Sequence, residues 1–273
     1  MPQILKLLAD NKTACPKSKI VSSAGEITIY LYDAIVATEA DAKWFGGVSA
    51  EGLVKEIRTL KPSTIHLRIN CPGGDVFAGR AIEQALREHD GKIVAHIDGY
   101  AASAASFIML AADEIEIGAG AFIMIHNAWT FAMGNSQDIM KVAGLLDKID
   151  ASIAESYATK TSKDLKIITD WMANETWFSA KEAVDNGFAD RISSDNSSSN
   201  TENSWNLSAY ANAPKGNDPS IGERMTNLEN TIAEFIKIND KREIETIPVD
   251  EPVSDNSLQA GLLRQLQLAT VTV

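Results

Sequence analysis

The sequence predicts an α/β protein built on a largely parallel sheet, and two consecutive strand–turn–helix units carry that prediction. The first unit joins a strand-like segment at 65–69, through the Cys-Pro-Gly-Gly-Asp turn at 71–75, to a helical pattern at 76–86. The second joins the strand-like segment 92–97 to a helix at 103–112 that is apolar on all sides, which indicates burial. Both turns should lie at one edge of the sheet, where such folds place their sites.

Hydrophobic spacing and helix-capping patterns predict the other elements. Alternating apolar residues indicate strands, and apolar residues three or four positions apart indicate helices. Residues 129–133 fit either an extension of a strand or a short arm. In chain order, the other predicted elements are a strand at 26–32, a helix at 49–60, a strand at 121–125, helices at 136–157 and 164–172, and a helix that opens with a capping box at 179–182 and ends at Gly187.

Composition divides the chain into four parts. Residues 1–20 form a polar lead-in and residues 21–192 the main domain. A run of serine and asparagine with two prolines then predicts a disordered linker at 193–220. Residues 221–273 form a short helical and acidic tail, in which an apolar heptad pattern is too short to predict a coiled coil.

Length and charge restrict the class of protein. The chain has 273 residues, of which 45% are hydrophobic, enough for one sizeable core. Its net charge of −12 argues against nucleic acid as a partner, because phosphate binding needs a basic face. No apolar run reaches the roughly 18 residues that span a membrane. The two cysteines, Cys15 and Cys71, make neither a disulfide framework nor a metal cluster. We therefore expect a cytoplasmic protein without cofactor or metal.

The turns of the two central units carry the residue types that acyl transfer needs. The glycines of the first turn let backbone N–H groups approach a ligand closely. The second turn places Ser103 at the start of a helix, where the dipole favours negative charge. Backbone donors that face such a serine can stabilise an oxyanion. Ser103 can equally be interpreted as a small residue that lets a buried helix pack. Ser106 lies one helical turn further along the chain and is interpreted as a packing residue.

One of the four histidines lies where a catalytic base is expected. His126 ends the predicted strand 121–125, at the edge of the sheet that holds the site. A histidine bonded to a loop carbonyl is the alternative for this position. His66 and His96 lie inside strand patterns and are interpreted as structural, whereas His89 lies at a polar helix end and is interpreted as solvated.

Several sequence blocks resemble the signature blocks of the Clp protease proteolytic-subunit family. Their order and approximate spacing match that family, and the resemblance covers about residues 26–192. The blocks are Asn-Cys-Pro-Gly-Gly at 70–74, Gly-Tyr-Ala-Ala-Ser at 99–103, Met-Ile-His-Asn at 124–127, and the downstream segments 175–183 and 186–190.

The resemblance implies a fold and a site. The fold would be the ClpP/crotonase-like spiral of repeated β-β-α units, with subunits in heptameric rings. Ser103 would be the nucleophile and His126 the base of a serine peptidase. The backbone N–H groups of Gly74 and Ala104 match the oxyanion hole of the family.

The third member of the triad is where the sequence departs from the family pattern. Glu175 stands at the position of the family's aspartate, and Asp170 is the fallback; a site without an orienting carboxylate is the third alternative. The acidic–Arg pair that precedes that aspartate is also missing, because Ala173 and Asn174 stand there. Assembly between rings that depends on this pair is therefore not expected.

Finer details resemble the phage and prophage branch, the head-maturation (prohead) proteases. These details are Gly-Gly-Val-Ser-Ala at 46–50 and Glu-Thr-Trp at 175–177. The leading hypothesis is a serine endopeptidase that cleaves capsid or scaffold proteins, with a tail that serves assembly or recruitment and a linker cleaved by Ser103. The alternatives are a general ClpP-type peptidase with an ATPase partner, a crotonase-like acyl-CoA enzyme, and a catalytically weak assembly scaffold.

Overall fold

The computed structural model describes residues 19–193 except residue 24, together with Leu207 and residues 210–214. The chain divides into two compact units. The first comprises Met1–Ala213 and Gln265–Val273, and it contains every described residue except Pro214. The second, Pro214–Arg264, lies outside the described residues apart from Pro214, as do the predictions for the 221–273 tail.

Ten strands and seven α-helices make up the described part of the first unit. The strands are β1 (Lys19–Ser23), β2 (Glu26–Leu31), β3 (Ile35–Val36), β4 (Val48–Ser49), β5 (Ile65–Cys71), β6 (Ile93–Ala102), β7 (Glu114–Ile117), β8 (Phe122–Ile125), β9 (Thr176–Ser179) and β10 (Arg191–Ile192). The helices are α1 (Glu39–Phe45), α2 (Ala50–Ile57), α3 (Val76–Arg87), α4 (Ala104–Ile108), α5 (Ser136–Thr161), α6 (Leu165–Ala173) and α7 (Ala180–Asp185). A 3₁₀ turn, Met109–Ala111, continues α4.

The main sheet has eight strands and is mostly parallel. Its principal order is β1-β2-β5-β6-β7-β10, and β8 pairs with both β6 and β9. Antiparallel pairing occurs between β1 and β2 and between β8 and β9. The short strands β3 and β4 form a separate parallel pair. The α/β class and the parallel sheet predicted from the two central units are thus confirmed.

Strand β6 is the centre of the sheet because it serves different neighbours along its length. Its first half pairs with β7, with Ile97 opposite Ile117. Its last residues pair with β8, with Ala102 opposite Met124. Strand β5 runs parallel to β6 on the other side. Since the strands are parallel, the carboxyl ends of β5, β6 and β8 meet at one edge.

The two faces of the sheet differ in polarity. On one face, strand residues such as Ile29, Leu67 and Ile97 are buried in a single apolar core that α3 also enters with Ile82. The alternate residues of the same strands are polar, and they pair across the sheet, as Arg68 of β5 does with Asp98 of β6. This alternation explains why one face is covered by helices while the other remains polar.

Helix starts follow the capping residues in the sequence. The Ser49 side chain accepts a hydrogen bond from the Gly52 N–H at 3.1 Å, and the Asp75 side chain accepts one from Ala78 at 2.7 Å. The capping box predicted at 179–182 is present, because Glu182 accepts a hydrogen bond from the Ser179 N–H at 2.9 Å. These caps satisfy backbone donors that a helix start leaves without partners.

Several elements differ from the predictions. Strand β6 runs past the predicted 92–97 segment to Ala102, and the helix predicted at 103–112 is a short α-helix followed by a 3₁₀ turn. Helix α1 and the strands β1, β3, β4, β7, β9 and β10 were not predicted. Residues 129–133 form neither a strand nor a helix.

Described residues of the first unit lie on both sides of the predicted 21–192 domain. Strand β1 begins at Lys19, inside the predicted 1–20 lead-in, because it pairs with β2. Tyr210 lies inside the predicted 193–220 linker, but it is only 7% exposed and packs with Leu207 against Ala34, Ala102 and Met124 of the same unit. An isolated aromatic residue in a polar run has no periodicity, which is why the composition alone gave no sign of this contact.

The apolar face of the sheet provides a stability test. Ile69 of β5 is fully buried, whereas Ile167 of α6 is 42% exposed. We expect Ile69→Ala to lower the free energy of unfolding by about 2–5 kcal/mol, because it removes buried methyl groups and leaves a cavity. The matched control Ile167→Ala should change it by less than about 0.5 kcal/mol. Denaturant unfolding measures both, and equal effects would contradict this description of the core.

Candidate active site

Ser103 lies in the turn between β6 and α4, in an unusual backbone conformation. Its φ of 53° and ψ of −124° are rarely adopted by a residue with a side chain. Such a conformation typically costs about 1–3 kcal/mol, so the surrounding structure must hold it. The Ser103 N–H donates to the Met124 carbonyl at 3.0 Å, and its own carbonyl accepts from the Ser106 N–H at 2.9 Å. These two hydrogen bonds hold the Ser103 backbone at its N–H and at its carbonyl.

The glycine turn after β5 lies directly against Ser103. A Cβ on Gly73 would lie 2.5 Å from the Ser103 Cβ and 3.0 Å from the Ala104 nitrogen. A Cβ on Gly74 would lie 2.1 Å from the Ile35 carbonyl oxygen. Both glycines also have positive φ angles, 96° and 149°. The turn can therefore approach Ser103 with Gly73, and Ile35 with Gly74, only because neither position carries a side chain.

Gly74 and Ala104 carry backbone donors at this junction. Ala104 is the first residue of α4, where an N–H has no partner within the helix. Gly74 forms a parallel bridge with Ile35, in which the bonds are made by the neighbouring Gly73 carbonyl at 2.8 Å and the Asp75 N–H at 3.0 Å. In a parallel ladder, the N–H of the central residue points away from the partner strand. Both N–H groups can thus serve a ligand.

His126, directly after β8, contacts the serine. Its Nε2 lies 2.8 Å from Ser103 Oγ, and both residues are buried. Burial lowers the pKa of His126 to about 4, while the negative charge of Glu175 acts in the opposite direction. The ring is therefore neutral at ordinary pH. For Nε2 to accept the serine proton, the ring proton must reside on Nδ1.

Glu175 lies near His126, but its carboxylate binds other groups. It accepts hydrogen bonds from the Asn212 N–H at 2.6 Å, the Ala211 N–H at 3.0 Å and the Trp177 indole N–H at 3.3 Å. Within the described residues, no hydrogen bond joins it to the His126 ring. The structure thus brings Glu175 within electrostatic reach of the histidine without orienting the ring.

The fallback acid and the other histidines lie elsewhere. Asp170 is exposed on α6, where it pairs with Lys166 at 2.8 Å. The rings of His66 and His96 bond each other at 3.0 Å across β5 and β6. His89 lies 2.8 Å from the Ser63 carbonyl oxygen. None of these four residues contributes to the group around Ser103.

A buried hydroxyl pair supports the strained serine from behind. Ser106 Oγ donates to the Ser103 carbonyl at 2.5 Å and lies 2.6 Å from the Tyr157 hydroxyl of α5. Since the one Ser106 proton is used, Tyr157 is the donor in this second bond. Burial raises the pKa of Tyr157, which keeps that proton in place. Ser106 is thus engaged in support. The sequence analysis predicted only that a helix ends at Tyr157.

Tyr210 is the residue that the sequence analysis missed. Its ring contacts that of His126 edge to face, with 5.6 Å between centroids, and its hydroxyl donates to the Pro72 carbonyl. Burial raises the pKa of Tyr210, so the phenol stays protonated. An aromatic side chain from far along the chain therefore lies against the histidine and the glycine turn.

The described residues show how potential metal ligands are grouped and how long and apolar the helices are. Across 19–193 without residue 24, and in Leu207 and 210–214, no three His, Cys, Asp or Glu side chains are grouped so that they could hold a metal ion. Over the same residues, no helix has both the length and the apolar character needed to cross a bilayer.

Comparisons with known proteins converge on one family. Residues 45–196 match the model of the Clp protease family. The "ATP-dependent Clp protease proteolytic subunit 2" of Tropheryma whipplei (strain Twist) is 29% identical over 130 residues, which are 47% of this chain and 72% of that protein. The "ATP-dependent Clp protease proteolytic subunit" of Pleurastrum terricola is 34% identical over 132 residues, 46% of this chain and 66% of that one.

A solved structure extends the comparison to the fold. A mutant of ClpP1 from Listeria monocytogenes superimposes with a TM-score of 0.51 at 23% sequence identity. The match covers 61% of this chain and 90% of that one. The ClpP-like α/β fold that the resemblance implied is therefore confirmed.

The contact between Gly73 and Ser103 can be tested by a single methyl group. We expect Gly73→Ala to lower the free energy of unfolding by about 1–3 kcal/mol and to reduce the reaction of Ser103 with a fluorophosphonate about tenfold or more. The reason is that the new Cβ must displace the serine. Gly120 is the matched control, since a Cβ there meets nothing within 4 Å. Equal reactivity of the two variants would contradict the contact.

The buried histidine predicts an unusual pH dependence. A lowered pKa means that His126 is neutral above its pKa and loses its capacity as a base only when the pH falls through about 4. The rate at which Ser103 reacts with a fluorophosphonate should therefore stay level from neutral pH to about pH 5 and be halved near pH 4. A midpoint near the ordinary histidine value of about 6.5 would show instead that the ring is solvated.

Proposed function

We propose that this chain, which belongs to the Clp protease family, is a serine-type endopeptidase with Ser103 as nucleophile and His126 as general base. The observation that carries the proposal is the 2.8 Å contact between Ser103 Oγ and His126 Nε2. The serine is held in a strained turn at a helix start, and the histidine is buried and neutral. A nucleophile within hydrogen-bond reach of a neutral base is the arrangement that acyl transfer requires.

The proposed reaction proceeds through an acyl-enzyme. His126 Nε2 takes the Ser103 proton while Oγ bonds to the peptide carbonyl carbon. The tetrahedral oxyanion then accepts hydrogen bonds from the Gly74 and Ala104 N–H groups, and loss of one such donor typically costs about 2.7–4 kcal/mol. The carbon–nitrogen bond breaks as His126 returns the proton to the leaving amine. Water, activated by the same histidine, hydrolyses the ester and releases Ser103.

Glu175 is the proposed acidic member of the site. Its charge raises the pKa of His126 against the effect of burial, so it stabilises the imidazolium that forms during the reaction. A hydrogen bond from His126 Nδ1 to Glu175 would additionally fix the tautomer that the reaction needs. In the present arrangement, the Ala211 and Asn212 N–H groups hold that carboxylate.

Self-association into rings is part of the proposal. The family resemblance implies heptameric rings, and exposed apolar side chains on α5 and in the segment before it support a contact between subunits. These side chains are Phe131, Met133, Ile139, Met140 and Leu145. Such a cluster on a long amphipathic helix is typical of a protein interface.

The finer proposal concerns the substrate. We infer a phage or prophage head-maturation role, with capsid or scaffold proteins as substrates, from the sequences at 46–50 and 175–177. The relatives described above are, by name, proteolytic subunits of ATP-dependent Clp proteases. A ClpP-type peptidase that works with an ATPase is therefore the competing function.

Turnover by matched serine variants tests the proposal. Ser103→Ala should reduce cleavage of peptide and protein substrates about 1,000-fold or more, because no nucleophile remains, while the fold is preserved. Ser106→Ala should keep measurable turnover, because Ser106 only supports the Ser103 carbonyl. Intact masses of capsid or scaffold precursors, followed over time with and without ATP and an ATPase partner, provide the readout.

The outcomes separate the competing functions. Cleavage of capsid precursors by the wild type alone supports head maturation, whereas cleavage that requires ATP and an ATPase supports the general ClpP type. Loss of turnover in Ser106→Ala together with full turnover in Ser103→Ala would contradict the assignment of the nucleophile.

A further inference from the structure

The strongest feature outside the proposed reaction is the segment that covers the site. The match to the family ends at residue 196, so Tyr210 comes from a part of the chain beyond it. Its side chain is nevertheless buried, with only 7% of the residue exposed. It contacts the His126 ring and donates to the Pro72 carbonyl. The Tyr210 side chain therefore lies against the proposed base and the glycine turn.

The Tyr210 ring packs in a small apolar cluster next to the His126 ring. Its buried members come from β6, β8 and the loop before β3, and partly buried aromatic residues pack against them. The buried members are Ala34, Ala102 and Met124, and the aromatic residues are Phe45, Tyr100, Trp129 and Trp177. Without the Tyr210 ring, these residues would line an apolar pocket. The Trp177 ring packs edge to face on Tyr210, with 5.9 Å between centroids. The pocket therefore suits a planar aromatic side chain.

The backbone after Tyr210 binds the carboxylate of Glu175, the proposed acidic residue. The N–H groups of Ala211 and Asn212 donate to the two different oxygens of the Glu175 carboxylate, and the Asn212 side-chain amide donates to the Asn174 carbonyl at 2.9 Å. Hydrogen bonds to an ionised carboxylate are the strong ones in proteins. While the segment is in place, Glu175 makes no hydrogen bond to His126. The same few residues thus fill the pocket and hold the acid.

We propose that residues 210–212 are a built-in competitive inhibitor of the site, and that the pocket they occupy binds an aromatic side chain of a polypeptide substrate. The inference rests on the proposed peptidase function. In the closed form, Tyr210 excludes substrate and Glu175 is held by the segment. When the segment leaves, the pocket opens and Glu175 is free to accept from His126 Nδ1. The observed rate is then the rate of the open form multiplied by its population.

Reaction of Ser103 with a fluorophosphonate in the full-length protein tests this device. Tyr210→Ala should react about tenfold faster or more than the wild type, because the closed form loses its principal contact. Asn212→Pro should also react faster, since it removes the N–H that donates to Glu175 at 2.6 Å and changes only an exposed residue. Tyr30→Ala is the matched control, because this aromatic residue lies on β2 and packs on Tyr32. Its rate should equal that of the wild type, and thermal unfolding checks that each variant is folded.

A peptide added in trans tests the pocket directly. The peptide comprises residues 207–214 and is added to the Tyr210→Ala protein, where it should slow the reaction with the probe and slow peptide turnover competitively. The same peptide with alanine in place of its tyrosine should not slow either reaction. Inhibition of equal strength by both peptides would overturn the role of the aromatic ring.

The outcomes distinguish this inference from the proposed function. One outcome is that Ser103 reacts at the same rate in the wild type, Tyr210→Ala and Asn212→Pro, or more slowly in the variants. In that case the proposal of a built-in inhibitor is wrong, whereas the proposed peptidase function is unaffected. If Ser103 reacts in no folded variant and no turnover is found, the proposed function fails and the inference falls with it.

Discussion

The close approach of the Gly73 backbone to Ser103 is the constraint on which the site depends. Strands β5 and β6 are parallel neighbours, so their carboxyl ends bring the glycine turn and the serine together, at a distance that leaves no room for a Cβ. The serine adopts a positive φ there, and bonds to β8 and to Ser106 hold it in that conformation. The same pairing of β6 with β8 places His126 beside Ser103. One sheet edge therefore determines the position of nucleophile, base and backbone donors together.

Burial determines how these groups behave. Desolvation keeps His126 neutral, which favours its function as a base, and it strengthens every charge interaction in the site. Tyr210 contributes to that burial through its contact with the His126 ring, and in the proposed closed form it occupies the place of a substrate side chain. When the site opens, the aromatic side chain of a substrate therefore replaces the Tyr210 ring. In the same step, Glu175 loses its hydrogen bonds from the 210–212 segment and accepts one from His126. The Glu175 carboxylate would thus take part in both the inhibited form and the active form.

The sequence predicted the parts of this arrangement that depend on local patterns. Periodicity located β5, α3 and α5, and the ends of parallel strands predicted that Ser103 and His126 would be near each other. Strand β9 was not predicted because its four residues show no clear alternation of apolar and polar side chains. The role of Tyr210 was not predicted because its contact with Pro72 joins residues 138 positions apart. The orientation of the Glu175 carboxylate depends on the hydrogen bonds from Ala211 and Asn212, so it could be read only from the tertiary structure.

The most direct test of the account is a crystal structure of the protein after reaction with a fluorophosphonate. The account predicts a single adduct on Ser103 Oγ, with the phosphonyl oxygen about 2.7–3.1 Å from both the Gly74 and the Ala104 nitrogens. It also predicts that Tyr210 has left the pocket. An adduct on another residue, or a phosphonyl oxygen directed away from these two N–H groups, would contradict the proposed site.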